Sequence, residues 1–178
     1  MFSIPFRQVS SDFDETQVLF KGDPAAFVTE LARRKAEALH EKFPDSIILT
    51  ADTTVYRDGR LFEKPANMEE AHRMLREHSG KEQQVYTGVA ISYKKKIDSQ
   101  AEETKVHFCE LTDSEIDIYL KAFYPLDKAG GYSIQDAGSL IVKRIEGCYY
   151  NVMGLPMQTT RQLLLKAGID LWDYFKSL

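Results

Sequence analysis

From Phe27 to Leu39 the apolar residues Val28, Leu31, Ala32 and Leu39 recur at steps of three and four or their sums, which predicts an amphipathic helix. Its predicted bounds are 24–43, with Asp23 as N-cap and Pro24 at the first helical position. The pattern then changes to the β-branched run SIILTADTTVY, which reads as a strand, and Asp58-Gly59 between apolar flanks signals a hairpin. Asn67 followed by Glu70 opens a helix that runs to about His78 and is ended by Ser79-Gly80. Residues 83–93 (QQVYTGVAISY) and 104–111 (TKVHFCEL) read as an antiparallel pair of strands joined across the polar stretch KKKIDSQ. Thr112 with Glu115 starts a short helix that stops by Pro125, 139–145 reads as a strand, and Pro156 begins a last helix ending at Gly168. Strands mixed with helices and hairpins predict an α/β protein with a mixed sheet.

Length and composition narrow this to one globular domain: 178 residues and 20.4 kDa, 43% hydrophobic and 28% charged, which is too apolar for a disordered chain. A chain of this size buries roughly 70% of its surface, enough for a core without disulfides or metal staples. A net charge of −4 and a pI near 5.6 argue against a general binder of nucleic acid polymers. No apolar run approaches a membrane span, and Pro5 and Arg7 interrupt what would be the apolar part of a signal peptide, so the expected location is the cytoplasm. Cys109 and Cys148 lack metal-site spacing and read as reduced structural thiols.

Two charges stand where the pattern wants apolar groups. On a helical projection from Phe27 the apolar stripe spans about 40° to 140°, and Lys35 falls near 80°, in its middle. Either its methylenes lie on the core edge with the ammonium snorkelling to water, or the ammonium points into a cleft to hold phosphate. Asp52 sits between Ala51 and Thr53 inside the predicted strand, where Asp is disfavoured. It is either a local turn or edge device, or a carboxylate facing a pocket as metal ligand or general base. Asp12, Asp14 and Glu15 form an acidic knot that is either solvated loop charge or, with Asp52, a set of oxygen ligands for a hard cation. Glu63-Lys64-Pro65 reads as a surface triplet, and Lys128 in DKAGGY as slightly more suggestive because its glycines allow close backbone approach. His40, His72, His78 and His107 lack ligand spacing and read as surface or core.

Taken in order, SSDFDE (10–15), LARRKAEAL (31–39), ILTADTTVYRDGRLFEKP (48–65), HSGKEQQVYTGVAI (78–91), DKAGGYSIQDAG (127–138) and IEGCYYNVMGLP (145–156) resemble the Maf family of nucleoside triphosphate pyrophosphatases over nearly the whole chain. The resemblance implies a long mixed sheet flanked by helices, two lobes around a central cleft, and assembly as a homodimer. It also implies hydrolysis of a nucleoside triphosphate to the monophosphate and pyrophosphate, assisted by a divalent cation, Mg²⁺ or Mn²⁺. Carried over by position, Asp52 would be the catalytic acidic residue and a metal ligand, Glu15 its acidic partner near the metal, Lys35 and Lys64 the phosphate ligands, and Gln135 a substrate-positioning residue. The SIQ and GCYYNVMGLP texts resemble the branch acting on dTTP and UTP rather than on 7-methyl-GTP. One departure stands out: the family pattern begins with a strand leading into a Ser-x-Ser-Pro-Arg-Arg turn, whereas IPFRQV resembles the strand after it. The expectation is a single Maf-like domain over 1–178 that is N-terminally truncated relative to the family pattern. A catalytically impaired nucleotide-binding or regulatory protein of the same fold is the alternative.

Overall fold

The structure is a computed structural model that describes residues 4–94, 96–135 and 137–175. Helix α1 (Pro24–Lys42) begins as its sequence dictates: Asp23 Oδ1 accepts from the Ala26 amide at 3.1 Å, and Pro24 occupies a first-turn position that needs no amide hydrogen. Its buried face carries Val28, Leu31, Ala32, Ala36 and Leu39 and lies on strands β1 (Ile48–Arg57) and β3 (Glu82–Tyr93). The contact is close because Ala32 and Ala36 are small and because β3 offers bare backbone. A Cβ added to Gly88 would stand 2.3 Å from the Val28 carbonyl oxygen. The Thr50 hydroxyl donates to the Ala32 carbonyl at 2.6 Å and fixes the helix lengthwise on β1.

The sheet has the order β2-β1-β3-β4-β5, with β2 at Arg60–Phe62, β4 at Lys96–Phe108 and β5 at Val142–Glu146. The β1–β2 hairpin turns at Asp58 and Gly59, both with positive φ (51° and 85°), as a primed turn requires. Helices α2 (Met68–His78) and α3 (Asp113–Ala122) start where predicted. Thr112 and Glu115 close a full capping box, while Glu70 reaches back to the Ala66 amide at 2.8 Å as the Asn67 side chain accepts from Glu70. Helix α6 (Met157–Lys166) follows Pro156, and the single turns α4 (Gly138–Ile141) and α5 (Tyr149–Val152) flank β5.

Three details differ from expectation. Among the described residues all four strand pairings are antiparallel, so the sheet they form is antiparallel rather than mixed. Strands β1–β2 and β3–β4 are hairpins, and the excursion from residue 109 to 141 re-enters the sheet beside its point of departure, at Phe108↔Val142. An excursion of that kind returns the next strand antiparallel, despite the helices it contains. Residues 96–100 of the KKKIDSQ stretch are strand rather than loop: Tyr93 pairs with Lys96 and β4 runs from there, because ladder hydrogen bonds ask little of the side chains. The first part of 139–145 is the α4 turn, with the Leu140 amide on the Ala137 carbonyl, and the strand begins only at Val142.

The apolar interior falls into three clusters. The largest gathers Val55, Phe62, Leu75, Val85, Val106, Phe108, Ile116 and Tyr132 between the sheet and α2–α3. A second (Ala32, Ala36, Leu39, Ile48, Ala90) lies under α1, and a third (Val89, Ile91, Leu163, Leu164, Leu171) under α6. Strand β3 alternates between the last two, Ala90 facing α1 and Val89 and Ile91 facing α6. Residues of α1 and of the largest cluster line one open cavity together.

Candidate active site

That cavity has a volume of about 720 Å³, and Glu15, Lys35, Asp52, Lys64 and Gln135 all line it. Each arrives on a different element. Glu15 stands on a single 3₁₀ turn (Glu15–Gln17) capped by Asp14, whose carboxylate accepts from the Thr16 amide and hydroxyl at 3.1 and 2.7 Å. Lys35 projects from α1 two turns beyond Val28, and Asp52 pairs with Gly88 across β1 and β3. The same bare glycine that seats the helix therefore lies beside the carboxylate. Lys64 follows β2, and Gln135 follows the 3₁₀ turn Ala129–Gly131.

The Lys35 ammonium donates to Asp52 Oδ1 at 2.6 Å and to Glu15 Oε1 at 2.7 Å, with the Lys35 and Asp52 side chains only 16% and 14% exposed. Burial alone would depress the lysine, but the hydrogen bonds and charges of Asp52 and Glu15 outweigh it and raise its pKa. Burial also raises Asp52 above the usual carboxylate range, opposed by Lys35, reinforced by the Glu15 charge and opposed again by Lys64. The snorkelling alternative for Lys35 and the turn alternative for Asp52 both give way to an ion pair that faces a cavity.

The segments that carry Lys64 and Gln135 are held from within. The Gly130 amide donates to the Glu63 carbonyl at 3.1 Å, tying the segment that carries Lys64 to the turn before Gln135. The Gly130 carbonyl in turn lies 3.1 Å from His78 Nε2, while His78 Nδ1 lies 3.3 Å from Arg57 Nη1. A neutral imidazole protonated on Nε2 satisfies both contacts, accepting from the guanidinium and donating to the carbonyl. Burial among Phe62, Phe108 and Tyr132, with the Arg57 charge close by, pushes its pKa down to about 3. The Ser133 amide donates to the Tyr119 hydroxyl at 3.0 Å and the Gln135 amide to the Ser133 hydroxyl at 3.1 Å, which fixes the approach to Gln135.

Not every candidate converges. Of the acidic knot only Glu15 enters the cavity: Asp12 pairs with Lys42 at 2.8 Å on the surface, and Asp14 serves as the cap. Among the described residues no group of three or more His, Cys, Asp or Glu could hold a metal on its own. Lys128 lines the cavity but is ion-paired with Asp127. His72 and His107 sit in surface clusters with Asp117 (3.4 Å) and Glu146 (3.1 Å), His40 is half-buried on α1, and Cys109 and Cys148 are unbridged thiols. Thr53, Thr54, Asp127, Tyr132 and Ser133 also line the cavity and carry no sequence expectation. Thr53 and Thr54 follow directly from Asp52 on the strand, whereas the other three are brought in by contacts remote in sequence.

A family model described as "Maf-like protein" matches residues 1–167. The chain is 45% identical over 174 residues to a "Nucleoside triphosphate pyrophosphatase" of Chlamydia muridarum, covering 97% of this chain and 89% of that protein. It is likewise 45% identical to a "dTTP/UTP pyrophosphatase" of Chlamydia caviae and 43% identical to one of Chlamydia trachomatis, with the same coverage of both chains. With the family model spanning nearly the whole chain and the cavity residues all within it, this protein belongs to the Maf-like family.

Proposed function

We propose that this chain is a nucleoside triphosphate pyrophosphatase acting on dTTP and UTP. The observation that carries the reading is the buried Lys35–Asp52 pair, joined by Glu15, in a cavity that Lys64 and Gln135 also line. A triphosphate brings about four negative charges, and a net-acidic chain binds it only where cations are concentrated. Lys35 and Lys64 supply them locally. Gln135 offers an amide donor and acceptor suited to the edge of a pyrimidine base. Asp52 orients a water against the α-phosphorus and takes its proton. The new P–O bond forms as the bond to the bridging oxygen of the β-phosphate breaks, and pyrophosphate leaves. Burial keeps the basicity of Asp52 above that of an ordinary carboxylate, which suits it to this task.

The donor set fits a divalent cation. One cation, the Lys35 ammonium, already stands between the two carboxylates, and Mg²⁺ and Mn²⁺ are commonly held by one or two carboxylates with phosphate and water completing the shell. Glu15 and Asp52 would hold it, and when bound it supplies charge neutralisation at the phosphate under attack. We extend the reading, on the family resemblance, to a homodimer in the cytoplasm; sedimentation as a 20.4 kDa species would rule out the dimer.

The test is pyrophosphate release from a panel of dTTP, UTP, CTP and 7-methyl-GTP with Mg²⁺. Turnover of dTTP and UTP is expected, with Asp52→Asn lowering kcat by roughly 10²-fold to 10⁴-fold while nucleotide binding persists. Binding without turnover in the wild-type chain would instead establish the non-catalytic alternative.

A further inference from the structure

We propose that Lys35 is a stand-in for the divalent cation. In the nucleotide-free chain its ammonium fills the position between Glu15 and Asp52, and it yields that position only when phosphate draws it away, so metal enters with the nucleotide and not before. This inference rests on the pyrophosphatase reading above and adds to it an order of events and a second duty for Lys35.

Charge and space both favour this order. One ammonium nitrogen reaches carboxylates of two elements at 2.6 and 2.7 Å, so the point it occupies is within ligand reach of both. The two carboxylates and the lysine sum to a single negative charge. A dication placed beside the retained ammonium would meet a like charge at contact distance inside a partly buried site, where repulsion is weakly screened. The lysine cannot leave unprompted either, because its departure strands the Asp52 carboxylate, 14% exposed, without its counter-ion. Both costs vanish together if a phosphate oxygen receives the ammonium as the dication receives the carboxylates. The geometry permits the exchange: Lys35 hangs on four methylenes at the edge of an open cavity, and Glu15, 56% exposed, stands on a three-residue turn rather than a long helix.

The experiment is Mn²⁺ binding to the nucleotide-free chain, followed by the electron-spin resonance of unbound Mn²⁺, with a thermal melt of each protein to establish that it is folded. Wild type and Lys35→Arg are expected to bind weakly, because both keep the cation. Lys35→Met is expected to bind roughly tenfold tighter or more, since the like charge is gone and both carboxylates are free. A Lys35→Met chain that is folded and binds no tighter than wild type overturns the proposal. A second arm needs no variant: wild type that binds Mn²⁺ alone as tightly as it does with a non-hydrolysable dTTP analogue present overturns it as well. Pyrophosphate release by wild type tests the parent reading separately. Turnover without the Lys35→Met gain defeats only the stand-in role, and the gain without turnover defeats only the hydrolase reading.

Discussion

Lys35 and Asp52 each break the pattern of the element that carries them, and each makes the other tolerable. An isolated charge at either position would cost several kcal/mol, whereas the pair shares the desolvation and leaves one net anion with Glu15. Both are legible in the amino-acid sequence, because a charge set among apolar neighbours is visible within a single short window of the chain. Lys64 is different. It is exposed, sits in an unremarkable triplet, and lines the cavity because the Glu63 carbonyl is bonded to the amide of Gly130, far along the chain. Only the family resemblance marks it. Lys64→Ala is expected to change stability by less than about 0.5 kcal/mol, as for other exposed sites, but to raise the KM for dTTP by about tenfold. Because the Lys64 charge holds Asp52 down, its removal raises Asp52 further, and the acid limb of the kcat/KM profile moves to higher pH. An unshifted limb with unchanged KM would remove Lys64 from the site.

The capped helices of ten residues or more are legible in the sequence, whereas strand ends and the single turns α4 and α5 are not. Caps announce helices locally, as Asp23, Asn67 and Thr112 do, and each accepts the amide expected of it. The first half of β4 has no such signature, since Lys96 to Gln100 are held by ladder hydrogen bonds to β3 while their side chains face largely outward. The antiparallel course of the whole sheet depends likewise on where residue 142 rejoins Phe108, which no local window contains. The seating of α1 on Gly88 is open to a direct test. Gly88→Ala drives a methyl to 2.3 Å from the Val28 carbonyl, so α1 must lift. The expected loss is about 1–3 kcal/mol in urea melts, together with a fall in kcat as Lys35 draws off Asp52. Gly59→Ala is the control: it strains a positive φ in open space at a cost of about 1 kcal/mol and leaves turnover intact. Equal kcat in the two variants would separate the helix seat from the site.

For the whole molecule, the titration of His78 dominates the response to acid. Its folded pKa of about 3 lies below the ordinary value of 6.5, so the fold holds it neutral and the unfolded chain binds the extra proton. The stability tied to this shift is present in full above pH 6.5 and is lost as pH falls from there toward about 3. Urea unfolding at pH 4.5 is therefore expected to give a free energy about 2–3 kcal/mol below that at pH 7.5. Asp52 acts in the opposite sense over the acid range, because its raised folded pKa makes protonation easier in the fold than in the unfolded chain. The raised Lys35 contributes stability that is present below 10.5 and lost only at higher alkalinity. A flat profile between pH 7.5 and 4.5 in Asp52→Asn, which lacks that opposing carboxyl, would exclude the neutral, buried imidazole.

Gly88 gives this arrangement its stiffness. Between the strand that carries Asp52 and the helix that carries Lys35 lies main chain resting on main chain, a spacer with no rotamers to relax. A carboxylate mounted that way keeps its alignment with the cavity, and conformational freedom there is left to the long Lys35 side chain.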